Sequence, residues 1–553
     1  MIPVLALALL SLWLTQSLWL SGWFTSHDGA SHLARLAQYL TLLADGQIPP
    51  RFSATLLGHL GYPIFVFSYH LPFMLGSLFH FFGFNLTNSL KLVFGLSFFW
   101  SGWGMYLLLR QWFKPLASFV GAFLFLAAPY RLVLIFVRAA VGEALALSLL
   151  PWLLYALTRR SLILIAVFTA LATLSHSLFW PMYLGLVLTY LLLIKKNWRK
   201  VAGGFILGLG LSAFYWLPLL WEKKLIVFDQ FYTNLAVGHL VTLKQLFYSV
   251  WGYGYSHSGI EQDAMSFQVG IAQWLVVGGA MIMIWFRPKA ANPRRLASGA
   301  LTWFLLAIAF MVDWLPARYL WQNLTLIKVI DIPWRLLAVA VFSASFLAAW
   351  LVNEQKRLKW LLALGLILVA LYTNRNHLRV NEVVNLPEAD YYNYAGTTTF
   401  LNEYRPRWRQ SDKIVLIEPK VFAKAENDKI SVITNRSNLL EFTTNFSEPR
   451  LVQINLLYYP GWRFFSQSGE LRLGDSIKIV TPETDERQSG FGPWSFPDIE
   501  GTLQTVVPVG EQHFQFTFSE TPLRKTADLI SLASLIFCLG LACKESPCRP
   551  YSL

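Results

Sequence analysis

The sequence predicts an α-helical polytopic membrane protein of about 12 transmembrane helices, with an exofacial β-sandwich domain ahead of the last helix. Three observations predict it. The first is composition: of 553 residues, 55% are hydrophobic and only 14% are charged, where soluble domains carry roughly 25% charged residues. A soluble chain of this size has no core large enough for so much apolar surface. A soluble enzyme, a disordered chain and a nucleic-acid-binding module are therefore excluded as whole-chain readings; the expected surroundings are a lipid bilayer, and no nucleic acid is expected as a partner. The second is a long series of apolar runs before residue 374 and one more after residue 525. The third is charge: residues 374–525 hold 19 of the 31 acids but 17 of the 45 Lys and Arg, so that segment is slightly acidic and the rest strongly basic.

The apolar runs give candidate spans near 2–21, 88–109, 116–136, 142–157, 161–175, 177–194, 201–220, 268–286, 297–312, 334–352 and 358–373, with a last one from about 526. Several fall short of the roughly 20 residues a helix needs to cross. The first run has no basic leader and no small-residue cleavage site, so a retained helix is expected there. Residues 374–525 alternate instead: KIVLIE (413–418), KISVIT (429–434), LVQINLLYY (451–459), SIKIVT (476–481), TLQTVVP (502–508) and HFQFTFS (513–519). Alternation split by Gly, Pro and Asn turns argues for antiparallel strands. The expected division is 1–373 as a transmembrane domain with a long first outer loop at 21–87, 374–525 as the β-rich domain, and 526–553 as the last helix and an inner tail. Three cysteines, Cys538, Cys543 and Cys548, allow no disulfide framework across the rest of the chain.

Residues 62–83 decide the topology. If they do not cross and the N-terminus is inside, the short inner loops collect 17 basic residues, among them Arg110, Lys114, Lys195, Lys196, Arg287, Lys289, Lys356 and Arg549. If they cross, every later basic loop turns outward, against the tendency of basic loops to face the cytoplasm. The expectation is a plasma (inner) membrane protein with both termini cytoplasmic and the β domain outside. Nine of the ten acids before residue 374, Glu261 among them, then fall on the outer side, as do all ten histidines. The chemistry is to be sought there.

The first outer loop opens with His27 and Asp28, followed by His32 and Arg35 on an amphipathic stretch whose Leu33, Leu36, Ala37, Leu40 and Leu43 recur at helical spacing. Pro49 and Pro50 end it. An acid where an apolar helix leaves the bilayer suits a general base; equally, Asp28 suits the N-cap of that helix. The second outer loop sets Arg131, Arg138 and Glu143 in apolar sequence. Arginine clamps phosphate through its planar fork, while an Arg138–Glu143 ion pair is the plainer alternative. His176 lies at the next outer turn, and Asp331 and Arg335 flank Trp334 at the start of a late helix. The GYGYSHSG stretch at 252–259 reads as a linker or a ligand-facing loop. No phosphate-binding glycine loop and no HExxH or GxSxG motif is present.

HDGASHLARLAQYLTLLADGQIPPRF followed by GYPIFVFSYHLPF resembles the opening of a prokaryotic family labelled "membrane protein, 6-pyruvoyl-tetrahydropterin synthase-related". That family is YfhO-like and belongs within the GT-C glycosyltransferase-like superfamily. YRLVLIFVRAAVGEALA, SAFYWLPLL, DIPWRLL, YYPGWR and TPLRKTADLISL fit it too. The resemblance implies a GT-C-like fold, a site on the outer face, and a polyprenyl-phosphate-linked sugar as donor for an envelope acceptor. It implies that Asp28 is the catalytic acid–base group, with Glu143 the second catalytic acid, and the two are the candidates to hold Mg²⁺ or Mn²⁺. Where such enzymes carry adjacent acids, this loop offers one acid and two arginines, so metal dependence stays open. The three-histidine zinc site of pterin chemistry has no counterpart in the spacing of histidines. His27, His32, Arg35, Arg131, Arg138, His176, Asp331 and Arg335 are the substrate-binding candidates. Two other readings stay open: a non-catalytic envelope assembly or binding protein, and a lipid-linked glycan transporter. The latter calls for mid-membrane acids and broken helix pairs, neither of which the sequence displays.

Overall fold

The computed structural model describes residues 2–194, 198–230, 235–257, 263–286, 292–423, 429–480 and 499–545. Glu261, Lys195, Lys196, Arg287, Lys289, Cys548 and Arg549 lie outside the described residues. The chain is mostly helical, with a β-rich region ahead of its final helix.

Each of the twelve apolar runs carries helix, but of unequal length. Among the described residues six helices are long and apolar enough to cross a membrane: Leu86–Leu109, Val141–Arg159, Pro293–Met311, Pro333–Glu354, Lys359–Leu378 and Pro522–Cys543. Two further runs are bent pairs, Pro115–Leu126 with Pro129–Val137 at 49° and Trp198–Leu211 with Ala213–Leu225 at 73°, which raises the count to eight. The other four, among them α1 (Ile2–Leu14), are shorter helices. The expected twelve full spans are thus not all of spanning length. Residues 62–83 form only Ile64–Phe67 and Leu71–Phe81, separated by a bend.

Broken helices in apolar surroundings free backbone groups, and these must find partners. At the first break, Pro129 lacks an N–H, and the freed carbonyls of Leu124 and Ala127 accept from Gln273 Nε2 (3.1 Å) and Asn374 Nδ2 (2.7 Å). At the second, Phe214 N–H donates to Ser531 Oγ (2.9 Å), which donates onward to Gly210 O (3.1 Å). These two broken pairs correct the expectation that the sequence holds none.

One end of the bundle gathers three of the basic loops. Lys114 N–H donates to Asn353 Oδ1 (3.0 Å), while Tyr190 OH meets both Trp112 Nε1 (3.2 Å) and Thr158 Oγ1 (2.5 Å). The candidate residues of the 21–87 and 129–146 segments gather elsewhere. α2 (Gly29–Ala44) forms where the apolar spacing predicts it, burying Leu33, Leu36, Ala37 and Leu42.

A short pair, β1 (Trp23–Phe24) with β2 (Val383–Val384), ties the exit of the first helix to the chain beyond Leu378. Among the described residues nine later strands follow: β3 (Val421–Ala423), β4 (Lys429–Asn435), β5 (Leu439–Phe446), β6 (Arg450–Ile454), β7 (Trp462–Ser466), β8 (Gly469–Leu471), β9 (Ile477–Ile479), β10 (Leu503–Val507) and β11 (Gly510–Phe518). They make two antiparallel sheets, ordered β3-β6-β10-β9 and β4-β5-β11-β7-β8. Phe442, Phe514 and Phe516 of one and Val452, Ile454 and Leu503 of the other are buried in one apolar cluster. Two expectations fail. KIVLIE (413–418) is not a strand, and 455–459 leaves the sheet after β6.

Candidate functional site

The site is built on the first turn of α2. His27 N–H donates to Val137 O (3.1 Å) and Asp28 N–H to Arg138 O (2.9 Å), which fixes this turn against the 129–146 segment. Asp28 occupies the N-cap position, yet its side chain makes no cap hydrogen bond. Among the described residues it makes no hydrogen bond or ion pair at all. It lines a cavity of about 220 Å³ instead. His32 and Arg35, one and two turns on, share that face of the helix and line the same cavity.

The opposite partners come from the loop after Val137. A turn of π-helix over Val133–Val137, a feature that recurs at functional sites, delivers Arg138. Its guanidinium forks onto Glu143 (2.8 and 2.7 Å), and Glu143 also accepts from Arg335 Nε (3.1 Å) and Tyr130 OH (3.3 Å). Arg335 reaches on to Asp331. The result is an alternating ladder, Arg138–Glu143–Arg335–Asp331, largely buried and lining one cavity. Trp334 lies under Arg138, 4.9 Å from ring centre to guanidinium. Burial raises the pKa of Asp331 despite the arginine beside it.

Ala139 (φ 50°), Asp331 (φ 59°) and Thr398 (φ 61°) adopt the left-handed region. Such strain persists only where surroundings over-determine it, and it clusters at functional sites. Asp331 and Thr398 line the cavity, and so does Ala140 next to Ala139.

Eight of the ten residues singled out in the sequence line this cavity: Asp28, His32, Arg35, Arg138, Glu143, His176, Asp331 and Arg335. Arg35 is spoken for, binding the Thr398 hydroxyl (3.0 Å) and carbonyl. His176 Nδ1 accepts from Leu178 N–H (3.0 Å), and burial pushes its pKa down to about 3. His32 is buried, with Nδ1 unpartnered among the described residues. Burial, then the Arg35 charge, holds its pKa well below the ordinary value. Both imidazoles are neutral at pH 7.

Two residues lie elsewhere. Arg131 is buried between the Phe98 and Phe125 rings and bonds Ser101 Oγ (2.7 Å). His27 bonds Gly254 O (2.8 Å) and stacks on Tyr255 at 4.3 Å. Burial, followed by the Arg138 charge, lowers its pKa. It anchors the described part of the 252–259 loop.

Sequence reasoning missed Lys328, Tyr69, Phe400 and Tyr404, all of which line the cavity. Lys328 makes no ion pair among the described residues. Its only sequence signal is one cation three residues before Asp331.

The donor set does not fit a metal ion. Both oxygens of Glu143 face guanidinium donors, and among the described residues no three His, Cys, Asp or Glu converge.

No protein-family model matches the chain. No curated protein matches it either. Among solved structures it is similar to arabinofuranosyltransferase AftD from Mycobacteria, with 17% identity, a TM-score of 0.44, and coverage of 68% of this chain and 27% of that one. It is also similar to the oligosaccharyltransferase of Archaeoglobus fulgidus. The apo form has 14% identity, a TM-score of 0.41, and coverage of 71% of this chain and 56% of that one. For AglB with an inhibitory peptide and a dolichol-phosphate, the identity is 14%, the TM-score 0.38 and the coverage the same. The chain therefore spans about a quarter of the first and just over half of the others.

Proposed function

We propose that the chain is a GT-C-type membrane glycosyltransferase that moves a sugar from a polyprenyl-phosphate donor to an acceptor on the outer face of the plasma membrane. That acceptor is an envelope glycan, lipid or protein. The reading carries a topology with it: both termini cytoplasmic, the basic loops inside, and the cavity and β domain outside. One observation supports it above the rest. Among the described residues, the Asp28 carboxylate has no hydrogen-bond partner and the Lys328 ammonium no ion pair, and the two share a cavity with Arg138 and Arg335.

A free carboxylate among cations has the two parts that transfer from a phosphate requires. Asp28 takes the proton of the acceptor hydroxyl as its oxygen bonds the anomeric carbon. The bond from that carbon to the phosphate oxygen breaks, and the electron pair leaves with the polyprenyl phosphate. Lys328 meets the departing charge, with the arginine ladder behind it, since fixed cations act where charge develops. Attack from the face opposite the phosphate inverts the anomeric centre. Glu143 positions the two arginines rather than touching the reacting atoms.

The test is turnover by purified protein in lipid, supplied with polyprenyl-phosphate sugars with and without Mg²⁺ or Mn²⁺. Release of polyprenyl phosphate is compared between the wild type and Asp28→Asn. Release that the variant abolishes is the expected result; equal release in both removes Asp28 from the mechanism.

The two broken helix pairs favour one second reading, movement of a lipid-linked glycan across the bilayer. That reading predicts accumulation of unchanged donor in the opposite leaflet of vesicles, with no free polyprenyl phosphate.

A further inference from the structure

Phe400 is 82% exposed, makes no ring contact among the described residues, and lines the cavity that holds Asp28. Its backbone is pinned on both sides. Thr398 (φ 61°) and Asn402 (φ 52°) both take the left-handed region, a conformation that costs energy for such residues. Arg35 binds Thr398 on one side. On the other, the Thr397 hydroxyl donates to Asn402 Oδ1 (2.5 Å), and Asn402 Nδ2 donates to Asp412 O (2.9 Å). A bare aromatic ring is thus presented on a fixed loop beside threonine hydroxyls and Glu403.

Apolar contact with lipid explains a bare Phe, but not the polar groups that flank this one. A ligand that suits both carries an apolar face and a hydroxyl edge. A pyranose ring has that form: its axial C–H bonds lie on an aromatic face while its hydroxyls meet oxygen partners. Val329 (55% exposed) also lines the cavity, next to Lys328, and so lies on the phosphate side of the proposed transfer.

We infer that Phe400 is a stacking platform for a sugar ring of the acceptor, which makes the acceptor of this site a glycan. This rests on the transfer reading above. It adds the acceptor's chemical class and names the residue that selects it.

The test needs no turnover, so its failure and the failure of that reading are distinguishable. Oligosaccharides of galactose, glucose and mannose are presented to the full-length protein in nanodiscs, and saturation transfer to their ring C–H protons is followed by NMR. The proteins are the wild type, Phe400→Trp, Phe400→Leu and Phe400→Ala. At an exposed position all four are expected to fold. The expected result is binding of at least one oligosaccharide by the wild type and Phe400→Trp. Phe400→Ala and Phe400→Leu should bind about tenfold more weakly, the size of one aromatic contact. No binding to the wild type overturns the inference. So does equal binding by Phe400→Ala, and so does wild-type binding by Phe400→Leu, which assigns the ring to lipid contact.

Discussion

Two acids in one cavity stand in opposite conditions. Glu143 is held by three donors, Arg138, Arg335 and Tyr130; Asp28 is held by none among the described residues. Sequence could locate both but not tell them apart, because the partner that occupies Glu143 from the far side, Arg335, is 192 residues away. Glu143→Gln should leave the buried Arg138 guanidinium without its counter-charge, while Arg335 keeps Asp331. It is expected to cost about 3–5 kcal/mol, read as a fall in the thermal midpoint in detergent. Lys328→Met should leave the fold intact and lower kcat about tenfold or more, as expected when a cation is lost where charge develops in the transition state. The buried histidines set a pH dependence. Unfolded, His176 takes a proton near pH 6.5; folded, only near pH 3. Between those values the unfolded chain binds more protons, so stability falls as pH drops from about 6.5 towards about 3. The slope is roughly 1.4 kcal/mol per pH unit for this group. His176→Asn, whose amide oxygen can still accept from Leu178 N–H, should flatten that slope in pH-dependent melting curves.

At the scale of elements, apolar periodicity made α2 and the helix runs legible, because each such signal is local. Breaks within the runs were not, since their freed carbonyls are satisfied by Gln273, Asn374 and Ser531 from distant helices. The strands show the same limit. KIVLIE alternates as a strand should, but Val415 packs against Gly58 and Ile417 N–H donates to Gly58 O (3.2 Å), so the segment lines a loop instead of a sheet. β5 alternates equally well and does pair, with β4 and β11. Alternation states which faces differ, not which neighbour arrives. The start of the Val141–Arg159 helix shows how tightly elements fix the site. A Cβ on Gly142 would stand 2.5 Å from the Tyr69 ring and 2.7 Å from His176 Cδ2. Gly142→Ala should therefore push both rings towards the cavity, costing about 1–3 kcal/mol and lowering turnover, while Gly365→Ala, in open space, serves as the silent control.

The whole molecule is joined by a second set of buried charges, away from the cavity. Arg524, fully buried, forks onto Glu222 (2.8 and 2.7 Å), which also accepts from Tyr459 OH (2.8 Å). Arg51 spans Glu520 and Asp528 at 3.0 Å each. These contacts fasten the last helix to the 21–87 segment through Arg51, and to Tyr459, ahead of β7, through Glu222. Arg524→Met should strand Glu222, and faster amide exchange in Trp462–Ser466 and at the start of Pro522–Glu545, with Leu86–Leu109 unaffected, is the expected signature. The clasp of Arg35 on Thr398 has a different consequence, one of timing. Its two halves are separated by 363 residues, and synthesis runs at roughly 5–20 residues per second. A nascent chain therefore carries Asp28 for roughly 20–70 seconds before the Thr398–Phe400 lining of the cavity has been made. Any chain cut short in that interval after Arg335 holds Asp28 and the arginine ladder without the Thr398–Phe400 part of the cavity lining.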